Sequence, residues 1–409
     1  MSTPKLVKKY EDGGKLIFKI QNMHVSLANA LRRTILSDIP VIVIRTENTK
    51  INQCAIVANT SRFHNEIVKQ RLSSIPIHST DKDFPTKHIL EIDVKNDSDH
   101  EMRWVTTKDF KIKDKQNGMY LDDAAVRAIF PPNAITNQYI DFLRLRPSIG
   151  PTIPGEQIKL SAEFSVSSAK TNGMFNVVST CSFYNVIDTI AKDEAWGEHM
   201  LKLKNENKTA EEIQFEKKNF ECLDAYRYFK KDSNGDPNEF EFFIQSIGVY
   251  TNEEILHLAC MELKRKCREL IEDIESHSIP ICPSSETKEM GYGSVIASTM
   301  ANSWDVLLLK DDYTMGLMIE RILYTEFYEK TEEMTFVGFK KYHPHDGYSV
   351  IRVAYSSDNM LPMLNTQLIH SIKIALNWLE AISPSSKSSS KDSSKDSSQS
   401  SQSLSKGSS

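Results

Sequence analysis

Residues 25–44 read VSLANALRRTILSDIPVIVI, and the period of the apolar positions changes inside that run. Leu27, Ala28, Leu31 and Ile35 share one stripe at helical spacing. Pro40 cannot continue a helix, because it lacks the N–H and its ring clashes with the preceding turn. A helix is therefore predicted over about 26–38, with a strand at 41–44 behind it and another ahead, where Leu16, Phe18 and Ile20 alternate. At about 100° per residue, Arg33 falls almost opposite the apolar stripe, flanked by Asn29 and Leu36. It is expected to face away from the chain's own core.

Two longer seams lie further on. Leu256, Cys260, Leu263, Cys267, Leu270 and Ile274 alternate spacings of four and three, the pattern of a helix packed on another helix. Thr251 and Glu254 stand at capping-box spacing at its start. Leu364, Leu368, Ile372, Ala375, Leu379 and Ile382 repeat the rhythm near the other end. Each seam needs a partner, and the two are expected to satisfy each other within one chain.

The full chain has 409 residues, 40% of them apolar, which is enough for two or three domains. A formal net charge of -5 argues against a surface that neutralises many phosphates, so contact with DNA is expected to be indirect. No apolar run approaches the roughly 20 residues that span a bilayer, and residues 1–10 lack the apolar core of a signal peptide. The chain is expected to stay inside a cell or particle, away from membranes. Cys54, Cys181, Cys222, Cys260, Cys267 and Cys282 include no Cys-x-x-Cys pair, so they read as reduced thiols with neither disulfides nor zinc. Residues 383–409 are nearly all Ser, Lys, Asp, Gln and Gly and are expected to be disordered. Pro280, Pro283, Gly291 and Gly293 break the helical pattern, and 276–302 reads as a linker behaving as a flexible coil.

Several residues invite a sharper chemistry. His64, His78, His88 and His100 lie at irregular spacings with no cysteine beside them, which does not make a zinc site. The acid pairs Asp122-Asp123 and Asp311-Asp312 could suggest magnesium, yet both sit at predicted helix starts or turns, where Asp caps free N–H groups. No metal, cofactor or catalytic residue is expected.

Asn-Ala-Leu-Arg-Arg at 29–33 resembles the first helix of the alpha subunit of RNA polymerases. RFHNEIVKQRLSSIPI at 62–77 is similar to the family's helix reading Glu-x-x-x-x-x-Arg-Leu-x-x-Ile-Pro, with Glu66, Arg71, Leu72, Ile75 and Pro76 on matching positions. The segments 156–184 and 240–248, with the helix that follows, resemble the third-largest subunit of eukaryotic polymerase II and its archaeal D-like counterpart. Asp312-Tyr313-Thr314-Met315-Gly316 stands where the small partner, archaeal L or the eleventh polymerase II subunit, has Asp-His-Thr-Leu-Gly. Phe336-Val337-Gly338-Phe339 and His343-Pro344 extend that match. The stretch 187–239 lies outside the resemblance. Tyr313 replaces the usual His, and Leu317 and Glu320 stand where the small partner usually has Asn and Arg. The zinc-binding cysteine loop of many D-like subunits has no cysteines here, and the bacterial DNA-binding C-terminal domain has no counterpart.

The resemblance implies an α+β architecture. An alpha-like dimerisation domain (1–52 and 178–275) would be interrupted by a mostly β insertion domain (53–177) and fused to a second small dimerisation domain (303–382). The implied function is a non-catalytic assembly platform of a multisubunit DNA-directed RNA polymerase, an internal pseudo-heterodimer. Its expected partners are the largest and second-largest catalytic subunits and other small polymerase subunits, with no homodimer. Asn29, Arg32, Arg33, Glu66 and Arg71 would dock the large subunits. Leu256, Cys260, Leu263, Cys267, Leu270, Leu364, Leu368, Ile372 and Leu379 would pair the two halves. Fusion of the pair is similar to the arrangement in large cytoplasmic DNA viruses, which implies host cytoplasm and the virion as its places. A DNA-binding regulator on the same dimerisation fold is the alternative, and a stand-alone enzyme lacks any motif for a nucleophile or metal.

Overall fold

The computed structural model describes residues 3–48, 50–292, 295–296, 298–357 and 361–383. The Ser-rich stretch from 384 onward, expected to be disordered, lies outside the described residues. The chain opens with β1 (Lys5–Asp12), β2 (Lys15–Gln21), α1 (Val25–Ser37) and β3 (Val41–Val43). A β-rich block follows: β4 (Cys54–Asn59), α2 (Asn65–Ser73), α3 (Phe84–Lys87), β5 (His88–Lys95), β6 (Arg103–Thr106), β7 (Lys111–Asp114), α4 (Asp123–Ile129), β8 (Asp141–Leu145), β9 (Gln157–Glu163) and β10 (Ser165–Ser167). Next come β11 (Val178–Asn185), α5 (Thr189–Asn205), α6 (Ala210–Asn219), β12 (Glu239–Ser246) and α7 (Asn252–Glu275). The last group is β13 (Ile281–Pro283), β14 (Ser303–Leu308), α8 (Tyr313–Leu323), β15 (Met334–Lys340), β16 (Ser349–Tyr355) and α9 (Leu361–Ile382).

Outside the β-rich block the strands form two four-stranded antiparallel sheets, both packed on the helices. One has the order β1-β2-β12-β11, the other β13-β14-β16-β15. On β2, Leu16, Phe18 and Ile20 are fully buried on one face, and on the other Lys15 is exposed while Ile17 is buried. Phe18 stacks on Phe242 of β12 with ring centroids 5.0 Å apart. Helices α1, α7, α8 and α9 pack on one another, and their apolar faces join the inner faces of both sheets in one continuous core. Both seams end in that core, from Leu256 to Ile274 on α7 and from Leu364 to Ile382 on α9. Each fully buried leucine along them contributes about 1.5–3 kcal/mol from leaving water. Thr251 and Glu254 make the reciprocal capping box that starts α7.

A separate core fills the β-rich block, whose sheet runs β4-β9-β5-β7 beside the ribbon β6-β8. Its junction with the first unit is not a clean cut. Strand β3 pairs with β10, and Ile42 and Ile44 belong to the block's core although they precede residue 53.

One expectation needs correction. The stretch 276–302 is not a coil throughout: Ile281, Cys282 and Pro283 pair with Val306, Asp305 and Trp304 as the edge strand of the second sheet. Beyond them, Ser284 and Thr287 donate to the fully buried Asp305 at 2.7 Å each, and Arg352 donates to both its oxygens at 2.6 and 2.8 Å. That carboxylate ties the segment to the sheet, and Val295 is buried there with Leu307 and Val350. The stretch 187–239, which lay outside the resemblance, carries the helices α5 and α6 between the paired strands β11 and β12.

Candidate docking surfaces around the paired helices

Helices α1 and α8 meet at the junction of the two halves, and each begins on a side-chain cap. On α1 the cap is His24, whose Nδ1 accepts the Ser26 N–H at 3.1 Å. Burial, helped by the nearby Arg321 charge, lowers the His24 pKa to about 4, so the ring is neutral and free to accept. On α8 the cap is Asp312, accepting the Thr314 N–H at 3.0 Å. Burial works to raise this carboxyl's pKa, but the Thr314 donors and the Arg33 and Lys170 charges outweigh it and hold it below the usual range. Asp122 likewise caps α4, accepting from Ala125 at 2.7 Å.

Arg33 is engaged by a distant part of the chain while its side chain stays 37% exposed. Its Nε donates to Thr314 Oγ1 at 2.9 Å and its Nη2 to Asp312 Oδ2 at 3.1 Å, across 279 positions of sequence. The helical count places it correctly off the stripe of Leu27, Leu31 and Ile35 but carries no sign that α8 covers the far side. Arg32 donates to Asn29 Oδ1 at 3.1 and 2.8 Å, so those two expected docking residues hold each other. Arg71 stays exposed, yet its Nε and Nη2 donate to the carbonyls of Phe142 and Asp141 at 2.8 and 2.9 Å, which fastens α2 to β8. Glu66 is exposed, on the rim of a cleft of about 540 Å³ shared with Glu47, Lys69, Gln70 and Asn172. In that cleft Glu47 Oε2 is buried without a hydrogen-bond partner among the described residues.

The pairing residues come together as a group. Leu256, Cys260, Leu263, Cys267 and Leu270 are buried on α7, and Leu364, Leu368, Ile372 and Leu379 on α9, all within the shared core. Cys260 and Cys267 act there as small apolar side chains, burial pushing both thiols up to about 12. Polar contacts rim the seam: Lys264 to Glu380, Lys310 to Asp273 at 2.9 Å, and Arg321 to Asp236 at 3.1 Å. These long-range pairs left no mark in the sequence, because each joins elements more than 30 positions apart. Among the described residues no three His, Cys, Asp or Glu side chains converge as metal ligands, and no helix is long and apolar enough to cross a membrane.

The arrangement is one of helix faces packed on one another and rimmed by ion pairs. A family model described as the RNA polymerase Rpb3/Rpb11 dimerisation domain matches residues 17–267. The chain is also similar to a protein named DNA-directed RNA polymerase subunit Rpo3 from Pyrobaculum arsenaticum, 24% identical over 257 residues, which are 62% of this chain and 90% of that protein. The Rpo3 of Pyrococcus furiosus is 35% identical over 88 residues, 22% of this chain and 30% of that one. A conjugation stage-specific protein of Tetrahymena thermophila is 27% identical over 183 residues, 41% of this chain and 55% of its own length.

Proposed function

Because the chain belongs to the RNA polymerase Rpb3/Rpb11 dimerisation-domain family, we propose that it is an assembly subunit of the enzyme carrying both members of the dimer in one polypeptide. Residues 1–275, less the β-rich block, act as the larger member, and residues 303–382 as the smaller. The observation that carries this reading is the single core in which α1 and α7 from one half meet α8 and α9 from the other. Either half alone would leave its seam in water, which the hydrophobic effect opposes. Joining them in one chain raises their effective concentration to about millimolar or above.

The partners proposed are the two catalytic large subunits and other small polymerase subunits. Glu66 and the cleft beside it offer an open polar surface for them, and Asn29, Arg32, Arg33 and Arg71, hydrogen-bonded within the chain but not buried, are the further docking candidates. The chain contributes no chemistry of its own in this reading. The net charge of -5 disfavours the DNA-binding alternative, since such binding rests on cations that displace phosphate counterions. The fusion supports a place in the transcription enzyme of a large cytoplasmic DNA virus, assembled in host cytoplasm and carried in the virion. The test is co-expression with the two cognate large subunits. The full chain should co-purify with both and support template-directed RNA synthesis, and a chain ending at residue 275 should do neither. Assembly by the shortened chain would remove the internal partner from the reading.

A further inference from the structure

A cavity of about 310 Å³ lies where the two halves meet. Met23 and His24, just ahead of α1, and the turn at 232–238, just ahead of β12, wall it on one side. The other wall is Arg321 of α8, Trp378 of α9, and Thr325 and Glu329 from the π-helical turn Tyr324–Lys330 that continues α8. A π-helical turn is uncommon and recurs at functional sites.

Two polar groups on that second wall are orphaned. Thr325 is only 8% exposed, and its Oγ1 has no hydrogen-bond partner among the described residues. Arg321 Nε, four positions earlier, is buried without one as well, although Nη2 of the same guanidinium donates to Asp236 at 3.1 Å. Leaving a buried donor unpaired is unfavourable, more so on a charged group. His24 adds a third donor to the cavity, since its Nδ1 accepts the Ser26 N–H and the neutral ring keeps its proton on Nε2. Donors of this kind suit a carboxylate, which accepts on two oxygens.

Acids stand at the same cavity. Among the described residues, the Asp232 side chain accepts only the N–H groups of Asn234 and Asp236, at 2.9 Å each, and Glu329 only the Asn234 amide at 3.4 Å. The two cations there are already engaged, Arg321 with Asp236 and Lys330 with Glu326. A bare anion would meet the charge of the unpaired carboxylates, and a bare cation would leave the buried donors orphaned. Met23, Pro237 and Trp378 supply apolar wall for the body of a ligand.

We propose that this cavity binds a small zwitterion of the α-amino-acid class, its carboxylate on Arg321 Nε and Thr325 Oγ1 and its ammonium toward Asp232 and Glu329. Its side chain rests against Met23 and Trp378. Such a ligand touches both halves at once, so its binding adds to the stability of their pairing.

The test titrates free phenylalanine into the full chain by calorimetry, with melting followed in parallel. Phenylalanine should bind and raise the melting temperature by about 1–3 °C at roughly ten times its Kd. N-acetylphenylalanine, which lacks the ammonium, and phenylalaninamide, which lacks the carboxylate, should each bind about tenfold more weakly or worse. Thr325→Val removes the orphaned hydroxyl, so the ligand-free chain should melt no lower while its affinity for phenylalanine falls about tenfold. Asp232→Asn keeps an oxygen for the turn N–H groups and should weaken binding by a similar factor. Absence of binding to the wild-type chain overturns the proposal and leaves the cavity to water. Binding that Thr325→Val and Asp232→Asn leave unchanged, or N-acetylphenylalanine binding as tightly as phenylalanine, overturns it too.

Discussion

On α1, Arg32 is held by Asn29 and Arg33 reaches Asp312 and Thr314, so both guanidiniums are satisfied inside the chain. On α8, which meets α1 at the same junction, Glu320 has no donor among the described residues and Tyr313 stays exposed. Two of the residues that look most like docking groups by type are therefore also engaged within the chain. A polar side chain off a helix's apolar stripe is open to a partner only if nothing from a distant part of the chain meets it first. The two helices also differ at their starts, with a neutral histidine capping one and a carboxylate capping the other.

The largest expected effect tests whether α1 and α8 share one core. Leu31→Ala on α1 and Met318→Ala on α8 each empty a fully buried site, and each should destabilise the chain by about 2–5 kcal/mol. Calorimetry should then show both halves melting in one transition. Separate transitions, each moved by one variant only, would break the comparison by making the halves independent.

Acid should separate the two caps next. His24 has its pKa lowered from 6.5 to about 4, so between those values the unfolded chain binds the extra proton and the folded chain does not. Stability therefore falls as pH drops from 6.5 toward 4, by a total on the order of 2 kcal/mol. Asp312, held below its ordinary range, keeps its cap until the pH falls below the usual carboxylate values. Chemical unfolding from neutral pH down to about 4 reads this directly, and His24→Asn should flatten the slope. An unchanged slope in that variant would mean the loss originates elsewhere.

A smaller effect belongs to Arg33 and Asp312. Both side chains are more than a third exposed, so solvent screens the pair and its coupling should be about 0.5–1 kcal/mol. A double-mutant cycle with Arg33→Ala and Asp312→Asn measures it. Zero coupling would return Arg33 to the residues open to a partner.

What could be read from the sequence was whatever its residues repeat locally. The alternation of Leu16, Phe18 and Ile20, the stripe of α1, the Thr251 capping box and the seams of α7 and α9 each lie within one element, so spacing alone describes them. Residues 281–283 could not be read that way: Pro280 and Pro283 rightly end a helix, but the strand exists because β14 offers an edge and Asp305 a buried anchor. The intrachain contacts of Arg33 and Arg71 were hidden for the same reason, since their acceptors come from α8 and β8. Helix α6 has no buried residue at all, which explains why its stretch carried no apolar pattern to read.

Internal pairing of the halves is tested most directly by the mass of the isolated full chain in solution, followed across dilution by light scattering or sedimentation. With α7 and α9 packed inside one polypeptide, the expected result is the mass of a single chain that does not change with concentration. A stable dimer, with residues 303–382 of one copy seated on residues 1–275 of another, would contradict it.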